Sequence, residues 1–164
     1  MIQLPHALRI AALAAASAAA VSLVGCAGMR SDAGSSGSMG AAPAGMTATS
    51  FSATLSSAAE VPPNASPATG AMTASLNKDT NQLTWRVTYS GLTGPATMAH
   101  FHGPALPGAN AGVVVPFPSA ASPAEGSATL TPAQAADLVA GKWYVNVHTA
   151  ANPGGEIRGQ LMMK

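Results

Sequence analysis

The sequence predicts an all-β domain, a single antiparallel β-sandwich or barrel with one short helix, over residues 50–164. Three observations predict it. From Ser50 onward apolar residues alternate with polar ones, the period-two pattern of strands buried on one face. Pro- and Gly-rich connections cut this region into short runs, the spacing of sandwiches and barrels. Helix signals are confined to one short stretch.

Taken in order, Phe51, Ala53 and Leu55 mark the inward face of the first strand, and Met72, Ala74 and Leu76 that of the second. Leu83, Trp85, Val87 and Tyr89 form the clearest strand, with Thr84, Arg86 and Thr88 on its other face. The turn residues Asn77-Lys78-Asp79-Thr80-Asn81 join those two as a hairpin. Further strands are expected near Thr97–His102, Gly112–Pro116, Ser127–Leu130, Trp143–His148 and Glu156–Leu161. The helix is placed at 132–140. Thr131 serves as N-cap, Pro132 as first-turn proline and Gln134 as the capping-box partner. Ala135, Leu138 and Val139 give it an apolar stripe, and Gly141 stops it.

The region before residue 50 is a different material. A positive start at Arg9 leads into a run from Ile10 to Val24 interrupted only by Ser17 and Ser22. That run is shorter than the ~20 residues a membrane-spanning helix needs, and it has the layout of a secretory signal. Leu23-Val24-Gly25-Cys26 resembles a bacterial lipobox, which makes 1–25 a removable lipoprotein signal and Cys26 the site of lipid attachment. Residues 26–49, rich in Gly, Ser and Ala, form a flexible tether about 25 Å in reach. The expected location is the bacterial cell envelope, on the outer membrane if the cell has one, because Ala rather than Asp follows Cys26.

The composition excludes several functions. Cys26 is the only cysteine, so the mature domain has no disulfide and must hold by its core. Seven Lys and Arg face six Asp and Glu with no basic stripe, so nucleic acid is not a partner. The sequence lacks a Gly-x-Ser-x-Gly elbow and a phosphate-cradling Gly-Lys-Ser/Thr, and its carboxylates are scattered. No catalytic residue is assigned. The expected partners are the membrane through the lipid anchor and an envelope protein or polysaccharide.

Chemistry concentrates in three histidines. In Met98-Ala99-His100-Phe101-His102, inward Ala99 and Phe101 place His100 and His102 together on the opposite face. In Trp143-Tyr144-Val145-Asn146-Val147-His148, inward Trp143, Val145 and Val147 leave Tyr144, Asn146 and His148 outward. If the two strands are neighbours, His100, His102 and His148 form a copper or zinc site with a position left for water or substrate. Met98 shares the His100 face as a soft ligand, Glu156 is a candidate to ligate the ion or orient a histidine, and Asn146 and Arg158 are candidates to orient the histidines. The alternative is a polar network that binds no metal.

These residues resemble a known family. Glu60-Val61-Pro62-Pro63, Ser66-Pro67-Ala68-Thr69-Gly70, His100-Phe101-His102-Gly103-Pro104-Ala105 and the stretch from Tyr144 to Gly159 are similar, in order, to CHRD domains, the module first named for chordin. The resemblance covers Ser50 to Leu161 and implies an immunoglobulin-like or related β-sandwich, leaving the role open. The His-x-His strand and the later strand histidine also resemble the copper ligands of Cu/Zn superoxide dismutases, a Greek-key sandwich, with Arg158 comparable to that family's substrate-guiding arginine. The absence of a disulfide and of a zinc set departs from that pattern. Three functions therefore follow: a metal-binding module, a metal-free structural or protein-interaction domain, and a copper-dependent redox enzyme.

Overall fold

The computed structural model describes residues 47–164; the predicted signal, Cys26 and nearly all of the tether lie outside the described residues. Among the described residues the strands are β1 (Ala48–Ser56), β2 (Thr69–Asn77), β3 (Gln82–Ser90), β4 (Ala96–His102), β5 (Val113–Pro116), β6 (Ala124–Thr129), β7 (Tyr144–Thr149), β8 (Ile157–Gln160) and β9 (Met162–Met163). One helix, α1 (Pro132–Val139), and a single 3-10 turn at Ser57–Ala59 complete the regular structure. The pairings are antiparallel and run β5-β4-β7-β8-β1-β2-β3-β6, with β9 added beside β1. The expected sandwich thus takes the form of one continuous eight-strand sheet curled into a nearly closed barrel, open between β5 and β6.

The alternation read from the sequence sets the inward face. In register, Phe51 opposes Ala74, Ala53 opposes Met72, Ala74 opposes Trp85 and Met72 opposes Val87, so large and small residues alternate across the strands. Trp85 on β3 and Phe101 on β4 are far apart in strand order yet meet edge to face, 5.2 Å between ring centroids. Phe117 packs 4.9 Å from both. This aromatic cluster fills the barrel and joins its two edges, at about 1.5–3 kcal/mol for each fully buried large side chain. Helix α1 follows the predicted capping box: Thr131 Oγ1 accepts from the Gln134 amide, and the Thr131 amide donates to Gln134 Oε1. Leu138 on α1 is buried against the core.

Two expectations shift. β6 begins at Ala124 rather than Ser127, because Ala124 and Gly126 pair with Val87 and Trp85. A side chain at Gly126 would strike the Trp85 ring, so this strand carries small residues where alternation looks for large ones. The second correction concerns the outward face of β7. Every residue from Tyr144 to Thr149 is buried, so that face is a second, polar interior rather than a solvent surface.

Candidate metal centre

The polar interior lies on the outer side of the adjacent strands β4, β7 and β8. In register, His100, Asn146 and Arg158 form one row across the three strands, and His102, Tyr144 and Gln160 form the next. His148 continues β7 one step beyond Asn146 on the same face, opposite Met98. The expectation that β4 and β7 are neighbours is thereby met. One nitrogen from each of His100, His102 and His148 lies within 4.8 Å of the others, a group able to hold a metal ion.

Backbone carbonyls aim the rings. His102 Nδ1 donates to Ala111 O at 3.0 Å, and His148 Nδ1 donates to Pro153 O at 3.0 Å. With the proton held at Nδ1, each neutral ring turns an Nε2 lone pair toward the centre, the arrangement used to orient metal-binding imidazoles. His148 Nε2 lies 3.2 Å from His100 Nδ1. The Asn146 side-chain oxygen stands 3.0 Å from His102 Nε2 and 2.9 Å from His148 Nε2.

Burial, reinforced by the neighbouring imidazoles, lowers the His100 pKa below its ordinary value. Burial also lowers that of His148, against the opposing effect of the Pro153 carbonyl. Both rings therefore stay neutral, with lone pairs available, to lower pH than a free imidazole. His102 and His148 are buried while His100 is half-buried, which makes the His100 side the entrance.

A stack of planar groups supports the centre. The Tyr144 ring lies parallel to His102 with centroids 4.8 Å apart, and the Arg158 guanidinium covers the Tyr144 ring at 3.4 Å. Arg158 Nη1 donates to Asn110 Oδ1 at 2.9 Å and Nη2 to Ala109 O at 2.7 Å, while Asn110 Nδ2 donates to Val61 O. The loop that supplies the Ala111 carbonyl is thus fastened from below. Arg158 thus reaches His102 through Tyr144.

Glu156 is placed differently from the expectation. Its carboxylate accepts from Ser66 Oγ at 2.6 Å, Thr149 Oγ1 at 2.5 Å, and the Thr93 amide and hydroxyl at 2.7 and 2.8 Å. Burial pushes its pKa up, but these hydrogen bonds outweigh it and hold the group at about 2. Those lone pairs tie three chain segments together, and the bonds run to Ser and Thr rather than to an imidazole. Met98 stands 48 % exposed at the edge of the face.

The residue to which the sequence reading assigned no role, although it opens a family-like motif, is Glu60. It is only 5 % exposed, and its Oε1 has no hydrogen-bond partner. Burial, opposed by the nearby Arg158 charge and by the neighbouring Val61 amide and Asn146 side chain, raises its pKa to about 7. It lines two clefts of about 420 and 250 Å³. Gly155, at φ +131°, leaves the space its carboxylate fills, since a Cβ there would collide with it. The signal was a lone carboxylate beside Val61-Pro62-Pro63, a place with nothing ionic nearby in sequence.

Comparison with known proteins adds one finding: the family model of the CHRD domain matches residues 51–161. Neither the curated proteins nor the solved structures contain a match.

Proposed function

This chain belongs to the CHRD domain family, and from that premise we propose that it is a metal-binding module of the bacterial cell envelope, taking copper or zinc through His100, His102 and His148. The observation that carries the reading is the convergence of three imidazole nitrogens within 4.8 Å, two of the rings aimed by backbone carbonyls. Imidazole sets of this kind suit both ions, and three protein ligands leave a position for water or a further donor. The lipobox at Leu23–Cys26 supports attachment of the domain to a membrane through Cys26.

The test is a calorimetric titration of the purified protein with Cu(II) or Zn(II), in parallel with His148→Ala. One-to-one binding that weakens at least tenfold in the variant is the expected result. A folded protein that ignores both ions, or a variant that binds as well as wild type, contradicts the reading.

A second reading has its own observation. The Glu156 hydrogen bonds to Ser66, Thr93 and Thr149 use several of the family-like residues purely to join loops. On that reading the domain is a metal-free interaction module, and His148→Ala lowers the melting temperature without changing any metal affinity.

A further inference from the structure

Around the centre, His100 Nδ1 to His148 Nε2 is 3.2 Å, His148 Nε2 to Asn146 Oδ1 is 2.9 Å, and Asn146 Oδ1 to His102 Nε2 is 3.0 Å. Donors on a tetrahedral ion with bonds of about 2.0–2.1 Å stand about 3.3 Å apart, whereas donors at right angles stand about 2.9 Å apart. The two edges that include Asn146 match the right-angle spacing, while the His100–His148 edge lies nearer the tetrahedral one. Tetragonal nitrogen and oxygen sets favour Cu(II), the strongest binder of the divalent series, while zinc favours the tetrahedron.

The orientation of the amide points the same way. In the neutral rings of His102 and His148 the proton sits on Nδ1, facing Ala111 O and Pro153 O, so both Nε2 atoms carry lone pairs. An amide oxygen facing two such lone pairs is a set of electron-rich atoms that a cation satisfies. An isolated amide would instead turn its NH2 toward them. Glu60 opposes that flip: its buried carboxylate lies beside Asn146 and can only accept, so it favours the amide nitrogen on its own side and leaves the oxygen to the centre. Gly155 provides the room that brings the Glu60 carboxylate this close to the sheet.

We propose that Asn146 Oδ1 is a fourth, direct ligand of a Cu(II) ion held by His100, His102 and His148, and that Glu60 is the positioning residue that keeps this oxygen turned to the metal. The inference rests on the metal-binding reading and goes beyond it in naming the ion, the donor set and the residue that orients it.

The experiment uses the purified protein with Cu(II) or Zn(II) alone, and reads affinity for each ion and the Cu(II) electron paramagnetic resonance spectrum. Wild type is expected to show an equatorial set of three nitrogens and one oxygen. Asn146→Ala should change that spectrum and lower the ratio of Cu(II) to Zn(II) affinity about tenfold. Glu60→Ala should give the same fall, and the double variant no further fall, because Glu60 acts through Asn146. Glu60→Gln, which keeps an acceptor for the amide, should restore the wild-type spectrum. An unchanged spectrum and ratio in Asn146→Ala overturns the fourth ligand, and additive losses in the double variant overturn the positioning role; in both cases three-histidine binding survives. A wild-type protein that binds neither ion overturns the metal reading itself.

Discussion

Glu156 and Glu60 are two buried carboxylates on the same side of one sheet, and their surroundings could hardly differ more. Glu156 receives hydrogen bonds from three residues, and its pKa is held at about 2. Glu60 has one oxygen without a partner and a pKa raised to about 7. The first is what a buried charge looks like when the fold uses it as a fastener: its oxygens are answered from two loops and from the end of β7. The second is kept at a cost to the fold, as polar groups committed to a ligand site often are. Satisfaction of hydrogen bonds, more than burial or charge, separates the structural carboxylate from the one that serves the centre.

The comparison can be broken most directly at the fastener. Glu156→Ala should destabilise the protein by about 3 kcal/mol, because it removes the four hydrogen bonds this buried carboxylate accepts from Ser66, Thr93 and Thr149. Denaturant unfolding measures this, and a loss below about 1 kcal/mol would remove Glu156 from its structural role. Next in size is Gly155→Ala, which combines an unfavourable φ of +131° with a collision against the Glu60 carboxylate. A loss of about 1–3 kcal/mol is expected from the backbone alone. Relief of that loss by a second change, Glu60→Ala, would show that the collision contributes.

The pH dependence separates the two carboxylates by sign. The folded pKa of Glu156, about 2, lies below its ordinary 4.5. Its stabilising contribution is full above pH 4.5 and disappears as pH falls toward 2. The folded pKa of Glu60, about 7, lies above 4.5, so folding favours its neutral form. That contribution is present below pH 4.5 and is lost as pH rises through 7. Melting temperatures recorded between pH 5 and 9 should therefore show Glu60→Gln gaining on wild type as pH rises from 5 through 7 and levelling off above, with no such gain for Glu156→Gln. The smallest effect belongs to a third carboxylate, the exposed Glu125 that pairs with Arg86 across β3 and β6. Its replacement by Ala should change stability by no more than about 1 kcal/mol.

Much of this was legible in the residues. The alternation through Phe51, Met72, Leu83, Trp85 and Phe101 gave the inward face, and Thr131-Pro132-Ala133-Gln134 gave the start of the helix. The inward positions of Ala99, Phe101, Val145 and Val147 also placed the three histidines together on the opposite face. What alternation could not supply was the covering of that face. It reads the direction of a side chain from its own strand, and it is blind to the loops that fold back over that face. Glu60, the Ala111 carbonyl over His102 and the Thr93 bonds to Glu156 all come from such loops. β6 was misjudged for a related reason: Gly126 is small because Trp85 is large, a dependence between strands rather than along one.

The most direct measurement of the central claim is anomalous diffraction from crystals grown with Cu(II) and, separately, Zn(II), recorded at each metal's absorption edge. The account predicts one strong peak on the polar face of β4 and β7, about 2.0–2.1 Å from a nitrogen of each of His100, His102 and His148. Crystals in which those rings keep their mutual contacts, with metal absent or bound only at other surface groups, would contradict it.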